Sequence, residues 1–245
     1  MSLNGRIALV TGAAKGIGHA AALALAAEGA DIVINFNRSR KEAESLAKGI
    51  QGLGRKTMLV QADVTNPKEV VKMFHQAERK FRKIDILVNN VGNFIIRSLS
   101  DMRYSEWDDI IKSNLYATFL CSQAALPGMR IRKWGRIINL AVASADRQGA
   151  FTRTSAYAAA KQAILTLTRT LAAEEVKSRI TVNAVGPGIT DTGYSEKMRH
   201  ELMRLCPMGR MAKPEEIARV IVFLCQPESE YITGAHIAVG GGWGL

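Results

Sequence analysis

The chain has 245 residues, of which 47% are hydrophobic and 22% charged, with 21 glycines and 6 prolines. This length and composition predict one folded domain and exclude collagen-like, disordered and low-complexity proteins. The 33 Lys and Arg residues exceed the 22 Asp and Glu residues and give a net charge of +11, which attracts anions. Because the basic residues are dispersed along the chain, no nucleic-acid binding is predicted.

The cysteines and histidines show no ligand pattern. Cys121, Cys206 and Cys225 are widely spaced and form no CxxC pair, and no histidine has ligand spacing with them. Neither a disulfide framework nor a metal site is therefore predicted. The first residues show no signal-peptide pattern, and no apolar run reaches the ~18 residues of a membrane span. We therefore expect a cytoplasmic protein that does not bind membranes.

Short apolar runs alternate with helical patterns through the first half of the chain. Ser39 followed by Glu42 predicts a capping box, and Pro67 stands at a first helical position. Pro127 is predicted to break or kink the fourth helix. The predicted strands are 7–10, 32–36, 56–61 and 84–88, and the predicted helices are 17–27, 39–52, 67–81 and 105–126.

The alternation continues in the second half of the chain. The predicted strands are 136–140, 180–185 and 236–239, and the predicted helices are 155–176 and 213–225. Strands separated by helices pair in parallel through right-handed crossovers. The expected fold class is α/β, with a single domain over residues 1–245 and helices on both faces of a doubly wound parallel sheet.

The first candidate site is the turn from Thr11 to Gly18, between the first strand and the first helix. Gly12, Gly16 and Gly18 give it a GxxxGxG spacing. Such a turn uses glycines for the tight bend, for backbone approach to a pyrophosphate and for close helix packing. The helix N-terminus that follows favours anions. The turn predicts a dinucleotide site, and a purely structural glycine turn is the alternative.

The second candidate site is the pair Tyr157 and Lys161 on a predicted helix. Residues four apart share one helix face, so the ammonium lies near the phenol and lowers its pKa. A tyrosine tuned in this way exchanges a proton with a carbonyl or an alcohol. The alternative is an aromatic residue packed on a neighbouring helix beside a lysine that extends to solvent.

Together with the segments 89–92 (NNVG) and 187–192 (PG followed by Thr192), these motifs resemble those of the short-chain dehydrogenase/reductase family over essentially the whole chain. The segments 135–139, 180–185 and 231–234 are most like those of the 3-oxoacyl-acyl carrier protein reductases. The resemblance implies a Rossmann-type fold and NADPH-dependent reduction of a carbonyl, with a 3-oxoacyl thioester of fatty acid biosynthesis as substrate. The alternatives are a dehydrogenase of another alcohol, sugar or steroid-like substrate, and a member that binds dinucleotide without catalysis.

The resemblance also implies roles for individual residues. Tyr157 would be the general acid, Lys161 would lower its pKa and hold the nicotinamide ribose, and Asn114 would anchor a water in a proton relay. For Asn114 and Asp63 the alternatives are a helix-interior Asn and a turn-forming Asp. The loop over about 189–212 would cover the substrate. The cofactor would lie against Gly12, Lys15, Gly16, Ile17, Gly18, Asn37, Arg38, Asp63, Val64, Asn90, Gly92, Tyr157, Lys161, Pro187, Gly188, Ile189 and Thr192.

The end of the second strand bears on cofactor choice. Phe36 stands where an acidic residue would bond the adenosine ribose and repel a 2′-phosphate. Lys15 and Arg38 would bracket that phosphate with charge-assisted hydrogen bonds. We therefore expect NADPH/NADP rather than NADH, and two solvated surface cations are the alternative.

The position of the family's catalytic serine has two candidates. Ser144 lies 13 residues before Tyr157, the offset commonest in the family. Counting forward along the strand from Gly135 instead places Val142 there, which offers no hydrogen-bond donor. We favour Ser144, because a bulge at a strand end turns a neighbouring side chain into a site. An ordinary loop serine is the alternative.

Two expectations concern partners. The Ala-rich helix from Tyr157 to Ala173 suits close packing, and the resemblance implies a homotetramer with 222 symmetry. Acyl carrier proteins are acidic, and a basic patch near the mouth of the active site would bind one; ordinary solvated helix ends are the alternative. The residues expected to form this patch are Arg130, Arg132, Lys133, Lys177 and Arg179.

Overall fold

The computed structural model describes residues 2–147 and 149–243. The strands are β1 (Ile7–Val10), β2 (Asp31–Phe36), β3 (Thr57–Gln61), β4 (Ile86–Asn89), β5 (Gly135–Leu140), β6 (Ile180–Pro187) and β7 (His236–Val239). They form one sheet in the order β3-β2-β1-β4-β5-β6-β7, and every neighbouring pair is parallel. The α/β prediction of a single-domain, doubly wound sheet is confirmed.

Helices cover both faces of this sheet. They are α1 (Gly16–Ala27), α2 (Arg40–Gly52), α3 (Pro67–Phe81), α4 (Tyr104–Ile111), α5 (Ala117–Arg132), α6 (Ser155–Glu175), α7 (Glu196–Met203) and α8 (Pro214–Cys225). Alternate residues of a strand point to opposite faces. Ala8 and Val10 accordingly pack in the core with α1, α2 and α8, whereas Ile7 and Leu9 pack with α3 and α5.

The strand order reverses at β1, which pairs with β2 on one side and β4 on the other. The chain therefore leaves β1 toward one edge of the sheet and later returns to build the other half. Ligands of open parallel sheets bind at the carboxyl ends of the strands beside such a switch point. The topology places the candidate site at the carboxyl ends of β1 and β4. No helix within 2–147 or 149–243 has the length and apolarity to cross a membrane.

The structure differs from the prediction in the helix expected over 105–126. This region is α4, then a π-helical turn over Lys112–Tyr116, then α5. Pro127 does not end α5, which continues to Arg132. Pro127 lies on the exposed side of the helix, while Leu126 and Met129 beside it are buried. Burial of these two side chains offsets the lost backbone hydrogen bond.

Smaller differences concern a strand boundary, an additional helix and a helix cap. Strand β4 begins at Ile86 rather than 84, and α7 forms inside the segment 189–212. The capping box predicted at Ser39 is wrong, because the Ser39 side chain makes no capping hydrogen bond to α2. The carboxylate of Glu42, its expected partner, instead binds the Lys15 ammonium at 2.7 Å.

Candidate active site

Two cavities lie at the carboxyl ends of the strands. One, of about 310 Å³, is referred to below as the catalytic cavity. The other, of about 360 Å³, is referred to as the adenosine-side cavity. Of the residues expected to bind the cofactor, the catalytic cavity is lined by Ile17, Asn90, Gly92, Tyr157, Lys161, Pro187, Gly188, Ile189 and Thr192. The adenosine-side cavity is lined by Gly12, Lys15, Asn37, Arg38 and Asp63.

The glycine turn between β1 and α1 is shaped for close backbone approach. Gly12 and Gly16 have φ of 59° and 56°, in the left-handed region that favours glycine. A Cβ at Gly18 would lie 2.6 Å from Asn90 Nδ2 and 2.7 Å from the Gly12 carbonyl oxygen. Asn90 Nδ2 also donates to the carbonyl of Thr11 at 3.0 Å. These contacts fix the turn, so its three glycines are required by the geometry.

The N-terminus of α1 offers free donors to a ligand. Lys15, its N-cap residue, makes no side-chain capping hydrogen bond. The first N–H groups of a helix lack intrahelical partners and favour anions through the helix dipole. The turn and this helix end therefore fit a pyrophosphate, the central group of a dinucleotide.

The far end of the catalytic cavity is built by β6 and the segment after it. A Cβ at Gly188 would lie 2.8 Å from the Gly240 Cα, and the Gly188 N–H donates to the Val239 carbonyl at 3.0 Å. Thr192 lies against the glycine turn, since a Cβ at Gly16 would be 3.1 Å from its methyl group. Residues far apart in sequence thus enclose one groove, in which Ile189 and Thr192 would hold a carboxamide.

Asn114 lies in the π-helical turn. Its Nδ2 donates to the carbonyls of Asn93 and Ile110, both at 2.9 Å. Its Oδ1 is buried and has no hydrogen-bond partner within the described residues. A Cβ at Gly92 would lie 2.2 Å from this oxygen, so only glycine fits there. The geometry leaves one buried acceptor without a partner among the described residues. π-Helical turns are common at functional sites, yet no residue pattern indicated this one.

Tyr157 and Lys161 lie on the first turns of α6 and share the catalytic cavity. The Lys161 Nζ is 5.4 Å from the centroid of the Tyr157 ring and donates to the Leu140 carbonyl at 2.6 Å. Burial lowers the pKa of Lys161 to about 7, so the amine is partly protonated at neutral pH.

The pKa of Tyr157 departs from the sequence prediction. Burial, with a smaller contribution from Tyr194, raises the pKa of Tyr157 to about 12 in this chain. The prediction that Lys161 lowers this pKa is therefore wrong for the protein by itself, because desolvation of the phenolate outweighs an amine that is half neutral at pH 7 and bonded to a carbonyl. A phenol with a raised pKa stays protonated at neutral pH, which is the form that donates a proton to a carbonyl.

Both candidates for the serine position lie close to Tyr157. Val142 lines the catalytic cavity, and Ser144 lines a smaller cavity of about 60 Å³ that Tyr157 also borders. The segment carrying them is fixed to β6, since the Ala143 N–H donates to the Pro187 carbonyl at 2.9 Å. The Ser144 hydroxyl makes no hydrogen bond to another described residue. It is therefore available to a substrate that extends into the smaller cavity.

Asp63 and Val64, the remaining residues expected on the adenosine side, differ in their positions. Asp63 lines its cavity, and its Oδ1 accepts from the N–H and hydroxyl of Thr65 at 2.9 and 2.8 Å. Asp63 therefore forms the turn that was its structural alternative, while remaining at the cavity wall. Val64 is 4% exposed and packs in the core rather than lining the cavity, so only its backbone remains available to an adenine.

The residues of the basic patch predicted at the mouth of the active site lie at the amino ends of the strands, opposite the cavities. Arg132 and Lys133 precede β5, and Arg179 precedes β6, whereas the cavities lie at the carboxyl ends of these strands. Arg130 is also bonded to the buried carboxylate of Glu175 at 2.9 Å. The predicted location is wrong. In a parallel sheet, the residues that directly precede the strands all lie at the amino ends, and the site lies at the carboxyl ends.

Comparison with known proteins identifies the family. A family model described as enoyl-(acyl carrier protein) reductase matches residues 12–244. A 3-oxoacyl-[acyl-carrier-protein] reductase of Synechocystis is 39% identical over 243 residues, covering 98% of both chains. A hydroxynaphthalene reductase-like protein of Metarhizium robertsii is 33% identical over 258 residues, covering 98% of this chain and 96% of that one.

Solved structures agree with the sequence relatives. A short-chain dehydrogenase/reductase of Serratia marcescens superposes with a TM-score of 0.93 at 32% identity, covering 100% of both chains. A putative short-chain alcohol dehydrogenase of Sinorhizobium meliloti gives 0.91 at 33% identity, covering 99% of this chain and 97% of that one. The chain therefore belongs to the short-chain dehydrogenase/reductase family and is an NAD(P)-dependent oxidoreductase acting on CH–OH or C=O groups.

Proposed function

We propose that this protein reduces the carbonyl of a 3-oxoacyl thioester, with NADPH as cofactor and Tyr157 as general acid. The observation that carries the proposal is that Tyr157, Lys161 and the residues after β6 line one cavity at the switch point of the sheet. Relatives named 3-oxoacyl-[acyl-carrier-protein] reductase, from Synechocystis and Staphylococcus aureus, are 39% and 36% identical over nearly the full chain.

The side chains of the protein supply the proton and orient the reacting groups. The nicotinamide cofactor supplies the hydride. Tyr157 is protonated at neutral pH, since its pKa of about 12 lies far above the pH, and donates its proton to the carbonyl oxygen. The Leu140 carbonyl holds Lys161 beside the phenol, where its amine would also bond a ribose hydroxyl. The buried Oδ1 of Asn114 would hold the water that returns a proton toward Lys161.

The reaction direction can be tested with the purified protein. We expect NADPH oxidation with an acetoacetyl thioester at neutral pH, because the phenol is in its proton-donating form. Faster oxidation of an unrelated alcohol with NADP would show a dehydrogenase of another substrate. Dinucleotide binding without turnover on any carbonyl would show a member that has lost catalysis.

The ion pair between Lys15 and Glu42 bears on cofactor selectivity. Both side chains are well exposed, and Lys15 and Arg38 line the adenosine-side cavity. No hydrogen bond or ion pair engages the Arg38 side chain within the described residues. A cofactor 2′-phosphate would therefore meet Arg38 directly and compete with Glu42 for Lys15.

We expect Lys15→Ala to weaken NADPH binding by about 5–10-fold with little change for NADH, because one charge-assisted hydrogen bond is lost. Glu42→Gln is expected to tighten NADPH binding by a few-fold, since an exposed ion pair contributes only about 0–1 kcal/mol. Fluorescence titration of both cofactors measures the dissociation constants. Glu44→Gln, which removes the similar exposed pair with Arg40, is the matched control. Equal or tighter binding of NADH by the unmodified protein would contradict the assignment.

Arg153 is an exposed basic residue close to the small cavity, where an acidic carrier would dock. It immediately precedes Thr154, which borders the small cavity beside Tyr157, and its φ of 63° is left-handed. We expect kcat/KM for a carrier-bound substrate to fall steeply with salt, because an exposed charge accelerates encounter with an acidic partner.

The matched variants are Arg153→Gln and Arg179→Gln. Both arginines are exposed, and both have a left-handed backbone conformation. Arg179, with φ of 56°, lies at the amino ends of the strands, away from the cavities. The first variant is expected to lower the preference for carrier-bound over free thioester several-fold, and the second is not. A salt-independent rate, or equal effects of the two variants, would count against a carrier protein.

Exposed aromatic side chains on α4, on the π-helical turn and on α5 support association. Tyr104, Tyr116 and Phe119 are 81%, 49% and 44% exposed, although they are large and partly apolar. We expect light scattering at micromolar concentration to return a particle of four 26.7 kDa chains. Phe119→Arg should lower the mass, because a charge cannot be buried there without a partner. A single 26.7 kDa particle for the unmodified protein would refute the tetramer.

A further inference from the structure

Aromatic side chains enclose the space next to Tyr157. Phe94 and Trp243 line both the catalytic cavity and the small cavity of about 60 Å³ that Tyr157 borders. Tyr194 adds a ring to the first cavity, and Phe151 adds one to the second. Four aromatic side chains, from three different loops and the C-terminal segment, thus converge on the catalytic tyrosine.

Phe94 is the best defined of these contacts. Its ring centroid lies 4.9 Å from that of Tyr157, and the two planes meet at 83° in an edge-to-face arrangement. Phe94 is nevertheless 57% exposed, so one side of its ring has no protein partner among the described residues. An exposed large apolar side chain at a cavity wall marks a surface on which an apolar ligand group packs.

The charged residues that line the two cavities limit the charge of the group that binds there. Lys161 is the one ionisable cation that lines them within residues 2–147 and 149–243, and its Nζ is already bonded to the Leu140 carbonyl. No Asp or Glu lines either cavity in the same ranges. No carboxylate of the described residues is therefore available to a cationic group beside Tyr157, and the lining, apart from Lys161, suits an uncharged one.

We infer that the carbonyl reduced by this protein is a ketone whose carbonyl carbon carries an aromatic ring. The ring would pack edge-to-face or offset against Phe94 and Trp243, the geometries that aromatic pairs prefer. This inference rests on the proposed carbonyl reduction at Tyr157. In the step, hydride from NADPH forms the new C–H bond and the carbonyl π electrons take the Tyr157 proton. The ketone becomes a secondary alcohol and NADPH becomes NADP.

Two thioesters that differ only at the ketone carbon test the inference. They are the acetoacetyl and benzoylacetyl thioesters of N-acetylcysteamine, which carry a methyl and a phenyl group there. We expect kcat/KM to be at least ~10-fold higher for the phenyl ketone, since each aromatic contact contributes several-fold. Equal or faster reduction of the methyl ketone overturns the inference and leaves the proposed function standing. Reduction of neither thioester overturns both.

Variants separate aromatic recognition from general packing. We expect Phe94→Leu and Trp243→Leu each to lower the phenyl-to-methyl ratio of kcat/KM by about 3–10-fold. Phe81→Leu, at the end of α3 and outside both cavities, is the control and should leave the ratio unchanged. Thermal unfolding identifies any variant that fails to fold. An unchanged ratio in folded Phe94→Leu and Trp243→Leu overturns the inference.

Discussion

Tyr157→Phe is expected to lower kcat for carbonyl reduction by about 10²–10⁴-fold, the contribution typical of a positioned general acid. The substitution removes one hydroxyl and keeps the ring that packs edge-to-face on Phe94. The fold should therefore be retained, and thermal unfolding checks this. Tyr231→Phe, at a fully exposed tyrosine that lines neither the catalytic nor the adenosine-side cavity, is the control and should leave the rate unchanged. A Tyr157→Phe enzyme with more than a tenth of the original kcat would show that another group supplies the proton.

The pH dependence of the same reaction has a definite sign. Tyr157, with its pKa raised to about 12, stays protonated through neutral pH, whereas Lys161, with its pKa lowered to about 7, loses its proton there. If the Lys161 ammonium assists reduction, the rate falls as the pH rises through about 7. Lys161→Met should be slower and should lack this limb. Persistence of the limb in that variant would assign it to another group.

Ser144→Ala is expected to lower kcat by about 10²–10³-fold, which is the usual loss when one donor to a developing oxyanion is removed. The prediction rests on Ser144 bordering the small cavity beside Tyr157 with its hydroxyl uncommitted to any described residue. Val142→Ser, tested separately, should bring no gain. An active Ser144→Ala enzyme together with a faster Val142→Ser enzyme would instead place the lost serine position at Val142.

Most of the fold follows from the sequence because parallel α/β sheets bury their strands on both faces. Runs such as Ile7–Val10 and Ile32–Ile34 therefore appear as short apolar segments between helices. The π-helical turn was not predicted, since it is five residues long and the shift that one extra residue gives to the apolar pattern does not stand out over so short a segment. The path of α5 through Pro127 depends on tertiary burial of Leu126 and Met129, which overrides the local preference of proline.

In the candidate site, too, local sequence predicts some features and tertiary structure decides others. The spacing of Tyr157 and Lys161 predicts that they share one helix face, and both line one cavity. Desolvation, which sets both pKa values, depends on the whole surrounding structure. Glu42 was assigned to a local cap because its sequence neighbours suggest one, yet it binds Lys15 from another loop. Residues that directly precede parallel strands, such as Arg179 before β6, lie at the amino ends of the strands, away from the site.

The pairing of β1 with β4 also constrains how the chain folds as it is synthesised. Val10 pairs with Ile34 on one side and with Val88 on the other. Once residue 61 has emerged from the ribosome, β1, β2 and β3 can associate, but the second edge of β1 has no partner until β4 emerges. That edge is apolar and central in the finished sheet, so a nascent chain halted between 61 and 86 presents an unpaired strand to other chains.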